Sequence, residues 1–269
     1  MLDAYRTPDR LKARIALHER FGNTTFDLHQ WLFDLVLGTD GSSGLQVPAA
    51  ANVLEVGSGT GRMWQVAGGR VPPGWSVTLT DRSEGMLHEL RRLAQGSNLN
   101  ATVAMADASD LPFEDATFDL AFANHMLYHV PQPERAMAEL RRVLKPGGAL
   151  VAATNGAGHM RQGTDLARPL TQLAGVGLTG IDPLSFTCES GTEQLGRHFE
   201  RVELHRHDDQ LTVTDASALL DYLRSLVHLA DDVPHATTAA LQAWEAHVRA
   251  VPLPFVVERA TGVFVARSQ

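Results

Sequence analysis

The sequence predicts an α/β protein whose strands form one mostly parallel sheet with helices on both faces. Two observations carry this prediction. Between residues 52 and 155, five short strand-like runs alternate with helical stretches, as in right-handed βαβ units. The first run also ends in a glycine-rich turn, which is typical of a strand that leads at once into a helix. With 269 residues, 44% of them hydrophobic, the chain can bury the core of such a domain.

The N-terminal piece is predicted to be helical. Apolar residues recur at roughly 3.6-residue spacing between Leu11 and Leu37, which favours amphipathic helix. The stretch Phe21–Thr25 interrupts this spacing, so two helices joined by a short break are expected. Gly38–Gly44, with the sequence GTDGSSG, is a flexible loop by composition.

The central region supplies the strands and helices of the sheet. Its predicted strands are Asn52–Gly57, Ser76–Asp81, Ala101–Asp107, Phe118–Asn124 and Gly147–Asn155, and its predicted helices are Arg62–Ala67, Glu84–Gln95 and Pro133–Leu144. Each strand is a run of β-branched and other apolar residues, and each helix has apolar residues on one face.

The pattern loosens after Asn155. Gly156–Gly191 is rich in glycine and threonine and has only short apolar runs, so no regular element is predicted there. The closing FVVERATGVFVARS has two strand-like runs around Ala260-Thr261-Gly262 and is expected to form a hairpin. Between these stretches the prediction is a strand at Arg201–Val213 with an irregular end, a helix at Asp215–Leu229 capped by Thr214 or Asp215, and a helix at His235–Ala250.

Composition restricts the partners. The net charge is −8, from 23 basic and 31 acidic residues, which argues against a broad phosphate-binding surface, and no nucleic-acid partner is expected. Cys188 is the only cysteine, which excludes an internal disulfide and a cysteine metal cluster. No run of about 18 apolar residues and no signal-peptide block is present, so a soluble cytoplasmic protein without membrane contact is expected.

The glycine turn has an informative spacing. Gly57, Gly59 and Gly61 give G-x-G-x-G, and Arg62 stands where the dinucleotide pattern G-x-G-x-x-G would place its third glycine. This weakens a nicotinamide reading. By itself, a glycine-rich turn between strand and helix is a weak signal for any one cofactor.

The next two strand ends make the signal more specific. Asp81 ends the second strand, 20 residues after Gly61, where a carboxylate can accept both hydroxyls of a ribose. Asp107 ends the third strand and is followed by Ala108, where a side chain can meet an adenine edge. Three successive strand ends thus carry the groups that a nucleoside needs, at the carboxyl edge where such ligands bind.

With these motifs in order, the chain resembles a class I S-adenosylmethionine-dependent methyltransferase of the small-molecule, methyltransferase-11-like type. The similar stretches are LEVGSGTG, LTDRSEGML, ADASDLPFEDATFDLAFANHMLYHV and LRRVLKPGGAL. They cover Asn52–Asn155 densely, and the closing segment is similar to the antiparallel last strand of that family. The resemblance is loose elsewhere.

The resemblance implies a Rossmann-like, doubly wound, seven-stranded sheet with an antiparallel last strand. It also implies transfer of a methyl group from S-adenosylmethionine to a small molecule, which leaves S-adenosylhomocysteine. It assigns cofactor binding to Glu55, Gly57, Ser58, Gly59, Gly61, Asp81, Arg82, Met86, Asp107, Ala108 and Asn124. Structural alternatives stay open: Glu55 and Asn124 could be plain strand-end residues, and Asp81 and Asp107 could only cap turns.

Three histidines are candidates for a catalytic role. In the resembled family the loop equivalent to NHMLYHV lies beside the transferred methyl group, which favours His125 and, less strongly, His129. His159 follows the fifth strand and could face the substrate. The spacing of His125 and His129 could also suit a metal, but no third ligand follows at a useful distance, so no metal is expected.

The chain is expected to divide into a helical cap at residues 1–44 and a cofactor-binding domain at residues 45–269, with residues 156–252 forming a lid over the substrate. Three other functions stay open. They are a methyltransferase for RNA or protein, a non-catalytic binding protein with the same fold, and a nicotinamide-dependent oxidoreductase. The methyl acceptor, the general base and the oligomeric state do not follow from the sequence.

Overall fold

The structure is a computed structural model that describes residues 8–22, 26–39, 41, 44–174, 184–226 and 235–267. Its helices are α1 Pro8–Phe21, α2 Leu28–Leu37, α3 Arg62–Ala67, α4 Glu84–Gly96, α5 Pro133–Val143, α6 Arg161–Ala174, α7 Gly191–Gly196, α8 Ala216–Leu226 and α9 His235–Arg249. Its strands are β1 Asn52–Val56, β2 Ser76–Asp81, β3 Ala101–Met105, β4 Phe118–Asn124, β5 Leu144–Asn155, β6 Arg201–Val213 and β7 Phe255–Arg267.

The strands form one seven-stranded sheet in the order β3-β2-β1-β4-β5-β7-β6. The pairs β1–β2, β1–β4, β2–β3 and β4–β5 are parallel, whereas β7 runs antiparallel to β5. Because the order reverses beside β1, the carboxyl ends of β1 and β4 open a crevice at the edge where α/β sheets bind ligands. The predicted doubly wound sheet with an antiparallel last strand is confirmed.

The expected closing hairpin is wrong, because residues 255–267 form the single strand β7. Seven consecutive residue pairs hold β7 against β5, from Ala149 opposite Arg267 to Asn155 opposite Thr261. Gly262 therefore lies inside a strand. A Cβ at that position would stand 2.6 Å from Cys188 Sγ, so this glycine serves a close approach of side chains rather than a turn.

The irregular stretch expected at Gly156–Gly191 contains the helix α6, and α7 begins at its last residue, Gly191. α6 includes Gly163 and Pro169, two residues that lower helix propensity and hid the helix in the sequence. Residues 175–183 of this stretch lie outside the described residues. The same holds for parts of the expected N-terminal cap and of its loops, namely residues 1–7, 23–25, 40 and 42–43. The third strand also ends earlier than expected, at Met105, which leaves Asp107 in the following turn.

The chain forms two compact units, of which the larger contains the described residues of 26–155, 185–206 and 261–267. Successive residues of β1 alternate between its two cores, Val53 in one and Leu54 in the other, as the pleat of a sheet covered on both faces requires. α2, α3 and α4 contribute to the first core, including Phe33 and Trp64. α5 and α7 contribute to the second, including Met137.

The smaller unit contains the described residues of 8–22, 156–184 and 207–260. Its core joins α1, α6, α8 and α9 through buried side chains such as Leu17, Leu223 and Trp244. The Trp244 indole N–H donates to the Leu166 carbonyl at 2.7 Å. Asp215 caps α8 as expected, since its Oδ1 accepts from the Ser217 N–H at 2.8 Å.

The two helices of the N-terminal piece thus fall into different units, α1 into the smaller and α2 into the larger. The domain boundaries expected at residues 44 and 156–252 stay a prediction. Among the described helices, none is long and apolar enough to cross a membrane.

Candidate functional site

The glycine turn between β1 and α3 has the left-handed backbone that only glycine adopts without strain. φ is +66° at Gly57, +56° at Gly59 and +74° at Gly61. Neighbours crowd two of the three positions, because an added Cβ would stand 2.9 Å from Met126 Cβ at Gly57 and 2.4 Å from Leu93 Cδ2 at Gly61. At Gly59 nothing lies within 4 Å of that Cβ position. Space for a ligand is therefore left at the middle glycine.

The turn is tied to the neighbouring strand β2. The Ser58 N–H donates to the Thr80 carbonyl at 2.8 Å, and the Gly59 N–H donates to Asp81 Oδ2 at 3.0 Å. The other carboxylate oxygen of Asp81 accepts from the Ser83 N–H at 2.8 Å. Asp81 thus braces both the turn and the start of α4, as the capping alternative allowed. A carboxylate offers about four acceptor positions, so lone pairs are left for a ligand.

The groups expected around an adenine lie in α4, which follows β2, and in the turn after β3. Met86 and Ala108 are buried and offer apolar surface. Asp107 Oδ1 accepts from the Ser109 N–H at 2.9 Å, and its other oxygen lies 3.5 Å from Arg82 Nε. Since both members of this ion pair are exposed, it contributes little to stability. It does keep Arg82 beside the end of β3.

Glu55 is the most buried acid of the site, only 3% exposed. The Trp64 indole N–H donates to its Oε2 at 2.7 Å, and the Asn124 amide donates to its Oε1 at 3.0 Å. Burial raises the pKa of the Glu55 carboxyl from 4.5 to about 7, although hydrogen bonds from Trp64, Asn124 and Ser58 act in the opposite direction. Glu55 is therefore a packed, hydrogen-bonded carboxyl and not a solvated strand end.

Asn124, the last residue of β4, has one satisfied and one unsatisfied polar atom. Its Nδ2 donates to Glu55 Oε1 and lies 3.2 Å from Met63 Sδ. Its Oδ1 is buried and has no hydrogen-bond partner within the described part of the chain. A buried acceptor without a donor is uncommon in folded proteins and costs free energy. It marks a place where a donor from a ligand or an ordered water fits.

His125 and His129 follow β4 in the larger unit. His125 has a φ of +51°, an uncommon conformation for a residue with a Cβ and one that clusters at functional sites. Its N–H donates to the Ala153 carbonyl at 2.9 Å. The Tyr128 ring lies 6.2 Å from the His125 ring and 4.5 Å from the His129 ring, centroid to centroid. The two histidines thus share one aromatic neighbour, and their catalytic role stays a prediction.

His159 belongs to the smaller unit, whereas His125 and His129 belong to the larger. Its Nδ1 lies 3.0 Å from the carbonyl oxygen and 3.2 Å from the nitrogen of Ala260. The His18 ring is nearly parallel to it, at a centroid distance of 6.2 Å. Burial, followed by the charge of Arg259, lowers the pKa of His18 to about 4. His159 therefore lies in a histidine pair of the smaller unit, and its catalytic role is also still a prediction.

Sequence reasoning missed Trp64 and Thr80. Trp64 lies nine residues after Glu55, in a predicted helix, where an aromatic residue indicates only packing. Nothing in the sequence indicates that its indole N–H donates to Glu55. Thr80 is fully buried, and its hydroxyl donates to the Glu55 carbonyl at 3.0 Å. In the part of the chain that the structure describes, no three His, Cys, Asp or Glu residues are placed to hold a metal ion.

Comparison with known proteins identifies the part of the chain that carries this geometry. Residues 54–152 match the family described as a methyltransferase domain, and the sheet order is that of class I. Residues 54–152 are a class I methyltransferase domain. The methyltransferase domain includes the glycine turn, Asp81, Asp107 and Asn124, but excludes α1, α6, α8 and α9.

A curated relative of the methyltransferase domain is the ubiquinone/menaquinone biosynthesis C-methyltransferase UbiE of Bordetella avium. It is 38% identical over 99 residues, which are 37% of this chain and 39% of the relative. The match thus spans about two fifths of that relative's length.

Two solved structures extend the likeness beyond the methyltransferase domain. Phosphoethanolamine N-methyltransferase 2 of Haemonchus contortus, solved with phosphomonomethylethanolamine and S-adenosylhomocysteine, has a TM-score of 0.59 at 18% identity and covers 100% of this chain and 60% of its own. The [4+2]-cyclase SpnF has a TM-score of 0.58 at 19% identity and covers 98% and 94%. At these identities the likeness shows the fold alone, and the two names show that this fold carries more than one activity.

Proposed function

We propose that this chain binds S-adenosylmethionine and transfers its methyl group to a small-molecule acceptor. The observation that supports this most strongly is the glycine turn braced by Asp81, with open space at Gly59. Gly59 follows β1, which carries Glu55, and its N–H donates to Asp81 at the end of β2. An elongated nucleoside with a polar tail fits such a crevice at a reversal of strand order.

The charges of the site fit this cofactor. S-adenosylmethionine has a sulfonium cation, an amino-acid end and a nucleoside, and it has no pyrophosphate that would need a lysine-bearing loop. The orphan Oδ1 of Asn124 is an acceptor for an ammonium hydrogen, and the Glu55 carboxyl lies directly behind it. We assign the ribose hydroxyls to Asp81 and the adenine to Asp107, Ala108 and Met86.

The chain's contribution to the reaction would be to position and to desolvate. Bound S-adenosylmethionine would supply an electrophilic methyl group on a positively charged sulfur. Residues that hold an acceptor in line with such a group can contribute roughly 7–11 kcal/mol through orientation. If the acceptor is a hydroxyl, His125 or His129 is the candidate general base of the larger unit, a role worth about 10²–10⁴ in rate.

A small molecule is the preferred acceptor class. The name of the Bordetella avium relative refers to quinone biosynthesis, which supports a small acceptor over RNA or protein. The net charge of −8 also disfavours a nucleic acid. Because the match excludes the smaller unit, the acceptor of that relative does not transfer to this chain. The cytoplasm is the expected compartment.

Calorimetry with S-adenosylhomocysteine and with NAD⁺ tests the cofactor assignment. We expect binding of the first and none of the second. Incubation with methyl-labelled S-adenosylmethionine and separate metabolite, RNA and protein fractions tests the acceptor class. Label in the metabolite fraction supports the proposal, whereas label only in RNA or protein would contradict the small-molecule assignment.

A further inference from the structure

The larger unit holds a second buried polar atom without a partner, on a helix outside the methyltransferase domain. Nδ1 of His29, in the first turn of α2, is buried and finds no hydrogen-bond partner among the described residues. The backbone N–H groups of His29 and Gln30 both donate to Oδ1 of Asp27, the N-cap residue. The backbone of this turn is therefore satisfied, and the ring nitrogen is the atom that lacks a partner.

His29 lies on a helix that packs against α3, the helix that begins where the glycine turn ends. α2 packs against α3, with the Phe33 and Trp64 rings in edge contact at 5.8 Å between centroids. His29 precedes Phe33 by four residues and so shares that face of the helix. Burial has the largest effect on the pKa of His29 and lowers it, the charge of Asp27 raises it, and the charge of Arg62, the first residue of α3, lowers it by a smaller effect.

The two ends of the glycine turn therefore differ in polarity. On one side are the acceptors Glu55 and Asn124 Oδ1. On the other side are His29 and the guanidinium of Arg62. The Asp27 carboxylate also lies close to His29 and raises its pKa; its Oδ1 accepts from the two capping N–H groups, which orients the carboxylate without removing its charge. The amino-acid end of the cofactor has the same polarity, an ammonium beside a carboxylate.

We propose that His29 Nδ1 donates a hydrogen bond to the α-carboxylate of the bound cofactor, with Arg62 supplying the opposite charge. This inference rests on the proposed function and adds a positioning residue from α2. A neutral imidazole carries one N–H, and a carboxylate at Nδ1 favours the tautomer with the proton there. α2 would then fix the tail of the cofactor and, through it, the direction of the methyl group.

Two variants separate this role from packing. His29→Leu keeps an apolar side chain on α2 and removes the donor. His29→Asn places an amide nitrogen near the position of Nδ1 and restores a donor. His88→Leu, on the exposed side of α4, is the matched control for the loss of a histidine. Thermal unfolding without ligand shows whether each variant is folded.

The measurement is calorimetric affinity for S-adenosylhomocysteine and for its decarboxylated analogue, which keeps the ammonium and lacks the carboxylate. We expect His29→Leu to weaken S-adenosylhomocysteine binding by roughly 10- to 100-fold, the range for a hydrogen bond to a charged group. Affinity for the analogue should stay within about twofold, as for a contact that the analogue cannot make. His29→Asn should recover most of the loss, and His88→Leu should change neither affinity.

Equal weakening of both ligands would show that His29 only packs, and an unchanged affinity for both would show that it does not contact the tail. Equal affinity of the unmodified protein for the two ligands would overturn the carboxylate site and leave the proposed function standing. Failure of the unmodified protein to bind either ligand would instead overturn the proposed function.

Discussion

The carboxylates Asp81 and Glu55 differ in how well the folded protein stabilises their negative charge. Asp81 is half-buried, and each of its oxygens accepts a backbone N–H, so its charge is compensated before a ligand binds. Glu55 is almost fully buried, and the hydrogen bonds to its carboxyl, including those from Trp64 and Asn124, come from neutral donors. Burial therefore disfavours the ionised form of Glu55. A cationic group bound beside Glu55 would make that ionised form more favourable.

Replacement of Glu55 by Gln should change how stability depends on pH. The folded state binds the Glu55 proton more tightly than the unfolded chain, because its pKa is raised from 4.5 to about 7. The free energy of unfolding should therefore fall by up to about 3 kcal/mol from this group as pH rises through that interval. In Glu55→Gln the fall is removed, because an amide does not titrate in this pH range; rotation of the Asn124 amide lets its Oδ1 accept from the new side chain.

Urea unfolding of both proteins at pH 5 and pH 8 measures this effect. The stability of the variant relative to the unmodified protein should be higher at pH 8 than at pH 5. A difference that is the same at both pH values would show that the pKa of Glu55 is ordinary.

Asp81→Asn tests the ribose assignment with less damage to the turn than Asp81→Ala. The amide oxygen can still accept one backbone N–H, whereas the charge that would favour two ribose hydroxyls is lost. We expect S-adenosylhomocysteine to bind roughly 10- to 100-fold more weakly, because hydrogen bonds to charged groups contribute about 1.5–3 kcal/mol each. Calorimetry at constant pH measures the change, and an unaltered affinity would remove Asp81 from the ribose site.

The site could be predicted from sequence only where one short segment carries the whole signal. The glycine spacing and the positions of Asp81 and Asp107 are local, and the structure places all of them at strand ends or directly after them. The contact of Glu55 with Asn124 joins residues 69 apart and follows only from the pairing of β1 with β4. The indole hydrogen bond of Trp64 depends on a side-chain orientation that apolar periodicity does not specify.

At the scale of elements, the presence of a glycine had two different structural causes in this chain. Glycine favours a turn where φ is positive, as at Gly59, and a close approach where the chain is extended, as at Gly262. The strands β1, β2 and β4 were predictable because their periodicity is local. α6 was not, since Gly163 and Pro169 lower its propensity, while Ala167 and Met160 secure it by burial in a core that a sequence pattern does not display.

Gly59→Ala should separate folding from ligand binding. The backbone is left-handed, which costs an L-residue about 1–2 kcal/mol, but nothing within 4 Å meets the new methyl group. Gly147→Ala is the matched control, because Gly147 has a φ of +75° and equally open surroundings. Both variants should lose similar stability in thermal unfolding, and only Gly59→Ala should lose affinity for S-adenosylhomocysteine. Equal affinity in the two variants would mean that the space at Gly59 does not receive the ligand.

For the whole molecule, the two units give different expectations for the N-terminal piece. The side chains of Leu32 and Phe33 on α2 are fully buried in a core of the larger unit, so α2 should resist hydrogen exchange with or without ligand. α1 belongs to the smaller unit, as do α6, α8 and α9 of residues 156–252, so we expect α1 to take part in the lid that the sequence predicts there.

Hydrogen exchange read out by mass spectrometry tests the lid. Peptides from residues 8–22 should exchange more slowly when S-adenosylhomocysteine is bound, because closure of a lid excludes water. Peptides from residues 133–143 of α5, where Met137 and Leu140 are fully buried, supply the internal control. Unchanged exchange in the α1 peptides would leave α1 as a fixed part of the smaller unit and would end the lid hypothesis.

The make-up of the smaller unit from distant stretches of chain has a consequence during synthesis. His18 on α1 lies 3.3 Å from Arg259 on β7, a partner 241 residues later, and Leu17 and Phe21 are buried in the same unit. At about 5–20 residues per second, a ribosome needs roughly 10–50 s to supply that partner. Throughout this interval the apolar side chains of α1 lack the core that buries them, and we expect this exposed helix to be open to binding by ribosome-associated chaperones.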